Sequence, residues 1–354
     1  MSYHWKVAPE DLFVERYRQM VNSGLPAADV DTVRSAITEM WPDQPGGWVY
    51  EWSRLAAGYA EHRRHQLAAL AFGWAKFPTV ADVAKRTALE RQLEQYLLAV
   101  PGFKVGFERR VIQIPHEEGV TAVPVHLLTP PGWSADTPVL LASGGVDTWK
   151  MDFHGLFEAV VLRTGMGVLA FDLPGTGESA GPMDSEEGAE TVRALALEAR
   201  TLGNGRVLHL GISMGGHFSA CSGLAGDVDA AIVLGGPVEA AFAPGRTFAH
   251  GMDGIVGNAL GFDHEPTHAE LAHRWPSFRL RPLLDLDANV PMLVINGADD
   301  VHVPQHDTLV FMGRRDTEVH LLPDTGHCAV SKMPEVLQLM FEWIDRQQLQ
   351  TAHS

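Results

Sequence analysis

A serine set between two glycines, Gly211-Ile212-Ser213-Met214-Gly215, is the first stretch of this chain whose residue types and spacing point to chemistry. It follows the apolar run Val207-Leu208-His209-Leu210 and precedes Gly216-His217-Phe218-Ser219-Ala220, a small-residue stretch suited to the start of a helix. Small flanking residues permit a sharp strand-to-helix turn that holds the serine oxygen clear of the backbone. The helix N-terminus beneath that oxygen favours developing negative charge. Such a serine is a nucleophile only if a base takes its proton, and the base needs an acid to fix its tautomer.

Both partners are present further along, in the order acid then histidine. Met292-Leu293-Val294-Ile295-Asn296-Gly297-Ala298-Asp299-Asp300 reads as a buried strand running into a loop with two aspartates. Asp300 stands three residues past Gly297 and four before Pro304, the spacing expected of the acid, which Asp299 misses by one. Turn formation is the plainer reading of both aspartates. After the strand Val319-His320-Leu321-Leu322 comes Pro323-Asp324-Thr325-Gly326-His327, and a histidine in a loop there is placed to serve as general base. The other sixteen histidines read mostly as surface or cap residues.

Acyl transfer also needs two backbone N–H groups aimed at the oxyanion. Met214, the residue after the serine, is one candidate. The other lies in Ser143-Gly144-Gly145-Val146-Asp147, where Val146 is preferred, Gly145 is the alternative, and a plain tight turn is the bland reading. The stretch Phe171-Asp172-Leu173-Pro174-Gly175-Thr176-Gly177-Glu178-Ser179 lacks the lysine and the spacing of a phosphate-binding loop and reads as a strand-to-helix connection near the pocket.

These residues need a scaffold. From Leu12 to about Leu98 apolar residues recur three and four apart, as in Glu51–Tyr59 and Thr87–Leu98, and predict helices broken by Pro42, Pro45, Gly46, Gly47 and Pro78. From Phe107 the period changes. Val111–Ile114 and Val123–Leu128 predict an antiparallel pair turning around Glu117, Glu118 and Gly119. Short apolar strands follow at Val139–Ala142, Val168–Phe171, Val207–Ile212, Ala230–Leu234, Met292–Ile295 and Val319–Leu322, several separated by helix-length stretches such as Glu186–Thr201 and Pro334–Gln347. That alternation predicts a mostly parallel, doubly wound α/β sheet covered on both faces. Pro237–Asn289, rich in aromatics and histidines, reads as a small cap between two strands.

With 354 residues, 45% of them hydrophobic, the chain can bury a large core and a second element. A net charge of −17 argues against nucleic acid or an anionic membrane as partner, since phosphate contacts need clustered Lys and Arg. Two cysteines, Cys221 and Cys328, make no disulfide framework, and no apolar run suggests a leader or a membrane span, so the expected location is the cytoplasm. No metal and no cofactor are expected.

Taken together, Gly47-Trp48-Val49-Tyr50-Glu51-Trp52 with the helical region after it, Ser143–Asp147, Asp172–Ser179 and the serine turn resemble one branch of the α/β-hydrolase superfamily. That branch includes the fermentation–respiration switch protein, 2,6-dihydroxypseudooxynicotine hydrolase and fungal pigment hydrolases that shorten polyketides. The triad motifs are common to the superfamily; the tryptophan-bearing N-terminal helices are the discriminating part. The resemblance implies an α/β-hydrolase fold with a helical N-terminal lid (1–105), a core in two parts (106–236 and 290–354) and a cap insertion (237–289), often in a homodimer. It also implies cleavage of an ester or of a carbon–carbon bond beside a ketone. A glutamate assists in the pseudooxynicotine enzyme, which makes Glu239 a candidate auxiliary acid, although a glutamate on the cap surface is the simpler reading.

The expected protein is therefore a cofactor-independent hydrolase of a small-molecule substrate. Ser213 is its nucleophile, His327 its base and Asp300 its acid, with Met214 and Val146 as oxyanion donors. Trp48 and Trp52, with Gly145, are candidate pocket residues, and Tyr59, Trp74, Phe242, Phe248, Phe262 and Trp275 are further aromatic candidates; core packing is the competing role for all of these aromatics. Two rivals come from other classes: a non-catalytic partner-binding protein on the same scaffold, and, more weakly, a metal hydrolase, which the seventeen histidines suggest.

Overall fold

A computed structural model describes residues 3–116 and 119–351. Five helices come first: α1 (Pro9–Asn22), α2 (Ala27–Ala36), α3 (Trp48–Glu61), α4 (His65–Lys76) and α5 (Val83–Ala99). Their shared interior is aromatic. Phe13, Trp48, Trp52, Trp74 and Phe77 pack together with Leu12, Met20 and Val30. Asp82 caps α5 by accepting from the Lys85 N–H at 2.9 Å, which satisfies one of the donors that a helix start leaves unpaired.

The remaining chain builds one eight-stranded sheet. Its strands are β1 (Gly106–His116), β2 (Gly119–Thr129), β3 (Val139–Ser143), β4 (Gly167–Phe171), β5 (Val207–Ile212), β6 (Ala230–Leu234), β7 (Met292–Gly297) and β8 (Thr317–Leu322), in the order β1-β2-β4-β3-β5-β6-β7-β8. The first two pair antiparallel, from Gly106 opposite Thr129 to His116 opposite Gly119, and β2 runs antiparallel to β4. All other pairings are parallel. The expected turn residues Glu117 and Glu118 lie outside the described residues.

Strand side chains alternate between the faces. Leu141, Leu169, Val207, Val233 and Val294 share one core with Leu195 and Phe218. Leu140, Val168, Leu208, Ile232 and Ile295 share the other with Phe157, Trp343 and Ile344. The covering helices are α6 (His154–Thr164), α7 (Ser185–Leu202) and α8 (Met214–Ala225). Between β6 and β7 the chain forms α9 (Met252–Ala259), α10 (His268–Arg274) and the single turn α11 (Arg281–Leu284); α12 (Gln305–Leu309) follows β7, and α13 (Met333–Thr351) ends the described chain. Among the described residues no helix is long and apolar enough to cross a membrane.

Candidate active site

Ser213 sits at the break between β5 and α8 with φ 56° and ψ −120°, a conformation few non-glycine residues adopt. The flanking glycines make the turn possible. A Cβ on Gly211 would lie 1.9 Å from the Gly215 carbonyl oxygen, and one on Gly215 would lie 2.5 Å from that of Gly144. The turn lifts Ser213 Oγ to 2.9 Å from His327 Nε2, and His327 Nδ1 lies 2.7 Å from Asp300 Oδ2.

Asp300 is fixed by more than the histidine. The backbone N–H groups of His302 and Val303 donate to its Oδ1 at 2.7 and 3.1 Å, and Asn296 Nδ2 donates to Oδ2 at 2.8 Å. Burial alone would raise its pKa, but the His327 charge and these hydrogen bonds hold it well below the usual carboxylate range. The converse holds at His327: burial would lower its pKa, and the Asp300 carboxylate outweighs that and holds it well above the usual histidine value. Asp299, the neighbour set aside on spacing, is exposed and spends its N–H on the Thr325 carbonyl.

On the other side of Ser213 lies the loop after β3. Gly145 packs so close that a Cβ there would sit 3.0 Å from Ser213 Cβ. Its N–H donates to the Thr148 carbonyl at 2.9 Å, so it is not free to meet an oxyanion. Val146 and Met214 instead line a small cavity together with Ser213. Among the described residues the Val146 N–H has no acceptor.

Two cavities meet at the Ser213–His327 pair. The larger, about 230 Å³, opens toward the N-terminal helices, with Leu70, Trp74, Phe153, Leu156 and Met333 on its apolar walls and Arg16, Gln19 and Asn22 along α1. The smaller, about 50 Å³, lies toward the 237–289 segment, walled by Phe248, Met252 and Trp275, with His302 beside it. Trp74, Phe248 and Trp275 thus reach the cavities. Trp48 and Trp52, the expected pocket tryptophans, do not: both are fully buried between helices, and Trp48 donates its Nε1–H to the Trp74 carbonyl at 2.6 Å. Tyr59, Phe242 and Phe262 line neither cavity. Glu239 lines neither as well; its carboxylate is paired with Arg279, and its N–H donates to Asp307. The aromatics of α3 face inward because a five-helix layer must fill its own interior before it can wall a cavity.

Residues 137–282 match the family model described as alpha/beta hydrolase fold. A solved structure titled AbyA5 Wildtype superposes with a TM-score of 0.76 over 90% of each chain at 21% identity. The chain has the α/β-hydrolase fold. The crystal structure of the 2,6-dihydroxy-pseudo-oxynicotine hydrolase gives a TM-score of 0.75 at 20% identity, covering 92% of this chain and 94% of that one. Esterase FrsA of Citrobacter koseri is 28% identical over 151 residues, 38% of this chain and 34% of that protein; that of Salmonella typhi is 24% identical over 150 residues, with the same coverage. The matched region spans about a third of the length of these curated relatives. The chain thus resembles the hydrolase branch first suggested by its tryptophan-bearing helices, and the likeness of fold to these two structures covers those helices as well as the sheet.

Proposed function

We propose that this chain is a serine hydrolase that cleaves a small acyl compound, an ester or a ketone-type substrate, through an acyl-enzyme. What carries the reading is the unbroken relay from Ser213 Oγ to His327 to Asp300, with steps of 2.9 and 2.7 Å. Ser213 Oγ attacks the carbonyl carbon while His327 Nε2 takes its proton. The oxyanion accepts from the Met214 and Val146 N–H groups. The tetrahedral species collapses, and the departing oxygen or carbon takes the proton from His327. Water then adds to the acyl carbon in the same way, giving its proton to His327, which returns it to Ser213 as the acid leaves. The fully buried Asp300 side chain holds the imidazole tautomer throughout and stabilises its charged form. The larger cavity suits the acyl group by volume, and the smaller one the leaving group. Similarity to proteins named esterase supports the ester as the first substrate to try.

A fluorophosphonate probe tests this. It is expected to label Ser213, and Ser213→Ala should lose both the label and, by about 10³-fold or more, turnover of p-nitrophenyl esters. An adduct on another serine would remove the assignment. Parallel assays on aryl β-diketones decide whether carbon also departs.

A further inference from the structure

One face of α1 touches three loops of the candidate active site, those that carry Asp300, Val146 and His327. Glu15, Arg16, Gln19 and Asn22 recur at helical spacing and so share that face. Glu15 is paired with His302 Nε2 on the loop that carries Asp300, and the His302 N–H itself holds Asp300 Oδ1. Arg16 Nη2 donates to Asp147 Oδ2 at 2.9 Å, and Gln19 Nε2 to Thr148 Oγ1 at 3.3 Å, both on the loop that offers the Val146 N–H. Asn22 Nδ2 donates to the Val330 carbonyl at 3.3 Å, just past His327. Lys76 on α4 grips the oxyanion loop from a second side, donating to the Asp147 carbonyl at 2.9 Å.

We infer that Glu15 and Arg16 are positioning residues that hold the acid loop and the oxyanion loop in register with Ser213, so that α1 is a working part of the hydrolytic centre and more than a wall of its cavity. The inference rests on the serine-hydrolase reading. Its physical argument is cost. A guanidinium and two carboxylates are withdrawn from water here, and apolar side chains would close a cavity wall without that desolvation penalty. Paired charges fix distance and direction where apolar contact does not. The two residues are consecutive yet reach opposite sides of Ser213, so a shift of α1 moves the acid and the oxyanion donor together. Neither touches Ser213, His327 or Asp300 by a hydrogen bond, and each acts through its loop.

The experiment uses the full chain with Glu15→Gln, Arg16→Ala and Arg16→Lys, and Arg18→Ala on the exposed face of the same helix as control. Ester kcat and KM, the fluorophosphonate labelling rate at Ser213 and the melting temperature are read for each. Misplacing reacting groups by about 1 Å costs on the order of 100-fold. The expected result is therefore a 10- to 100-fold fall in kcat and labelling rate for Glu15→Gln and Arg16→Ala, with KM within about twofold, and partial recovery of Arg16→Ala by added guanidinium ion. Arg18→Ala should match the wild type. Labelling and kcat within twofold of wild type would overturn the inference while leaving the hydrolase reading intact. So would losses that guanidinium does not recover and that follow the melting temperature. If Arg16→Ala fails to fold, Arg16→Lys and Glu15→Gln decide by the same readouts. A wild-type chain unlabelled at Ser213 would instead remove the hydrolase reading, and this inference with it.

Discussion

Asn296 donates its side-chain N–H to the same oxygen of Asp300 that faces His327, and its own carbonyl oxygen accepts the N–H of Cys328, the residue after that histidine. One buried amide at the end of β7 thus ties Asp300 and the His327 loop, the proposed acid and base, together. It fixes which Asp300 lone pair is left for the imidazole, and it anchors a histidine loop in which Cys328 and Ala329 have positive φ. Asn296→Leu leaves the buried Cys328 N–H unpaired and Asp300 Oδ2 with His327 as its remaining partner. The expected cost is about 1–3 kcal/mol of stability and a larger fall in kcat than in 1/KM. Chemical unfolding together with ester kinetics checks both, and an unchanged kcat would show that the amide serves the fold alone.

The acid itself is testable by charge and by pH. Asp300→Asn should lower kcat by several orders of magnitude, whereas Asp299→Asn on the exposed neighbour should change it little. The carboxylate holds the His327 pKa up and burial pulls it down. Because the base works in its neutral form, the acid limb of kcat/KM should lie above the ordinary histidine value of about 6.5. It should move to lower pH in whatever activity Asp300→Asn retains. A limb that stays in place would mean that His327 is not the titrating base.

Cavity shape and helix packing separate at two residues. Leu70 lines the larger cavity, so Leu70→Trp should cut kcat/KM for long acyl esters far more than for acetate esters. Trp48 is fully buried inside the helical layer, so Trp48→Ala should cost about 3–5 kcal/mol of stability while leaving the preference for chain length where it was. A chain-length series measured on both variants decides the matter; a selectivity change in Trp48→Ala alone would put the substrate on the other side of α3.

Acid should unfold this protein through its buried histidines. Burial pushes His209 and His217 down to about 3 and His154 to about 4, against about 6.5 in an unfolded chain. Between those values the unfolded state binds the extra protons. The stability contributed by these three histidines is therefore complete above about pH 6.5 and falls as pH drops, by up to about 1.4 kcal/mol per pH unit for each group. Urea midpoints from pH 7.5 to 5 should decline accordingly, and His209→Gln should flatten the slope by one proton. A flat profile would contradict the buried neutral state.

The strands and their mostly parallel sense, though not their order in the sheet, were legible because each strand writes its own pattern. The runs from Val139 to Leu322 are short and apolar, the helices between them are amphipathic, and a chain of that texture has few ways to close a sheet. The serine turn was equally local, since Gly211 and Gly215 are where they are because a Cβ would strike neighbouring backbone. Chain order then pointed to Asp300 and His327 as the serine's partners. The inner face of α1 was not legible. Glu15 and His302 are 287 positions apart, and nothing in the charge pattern of a short helix says which loop it will meet. Nor did the aromatic-rich N-terminal sequence reveal that Trp48 and Trp52 fill the helical interior while Trp74 reaches the cavity. Periodicity records which side of an element avoids water; which surface covers that side is decided only when distant segments pack, and the tertiary structure alone carries that choice.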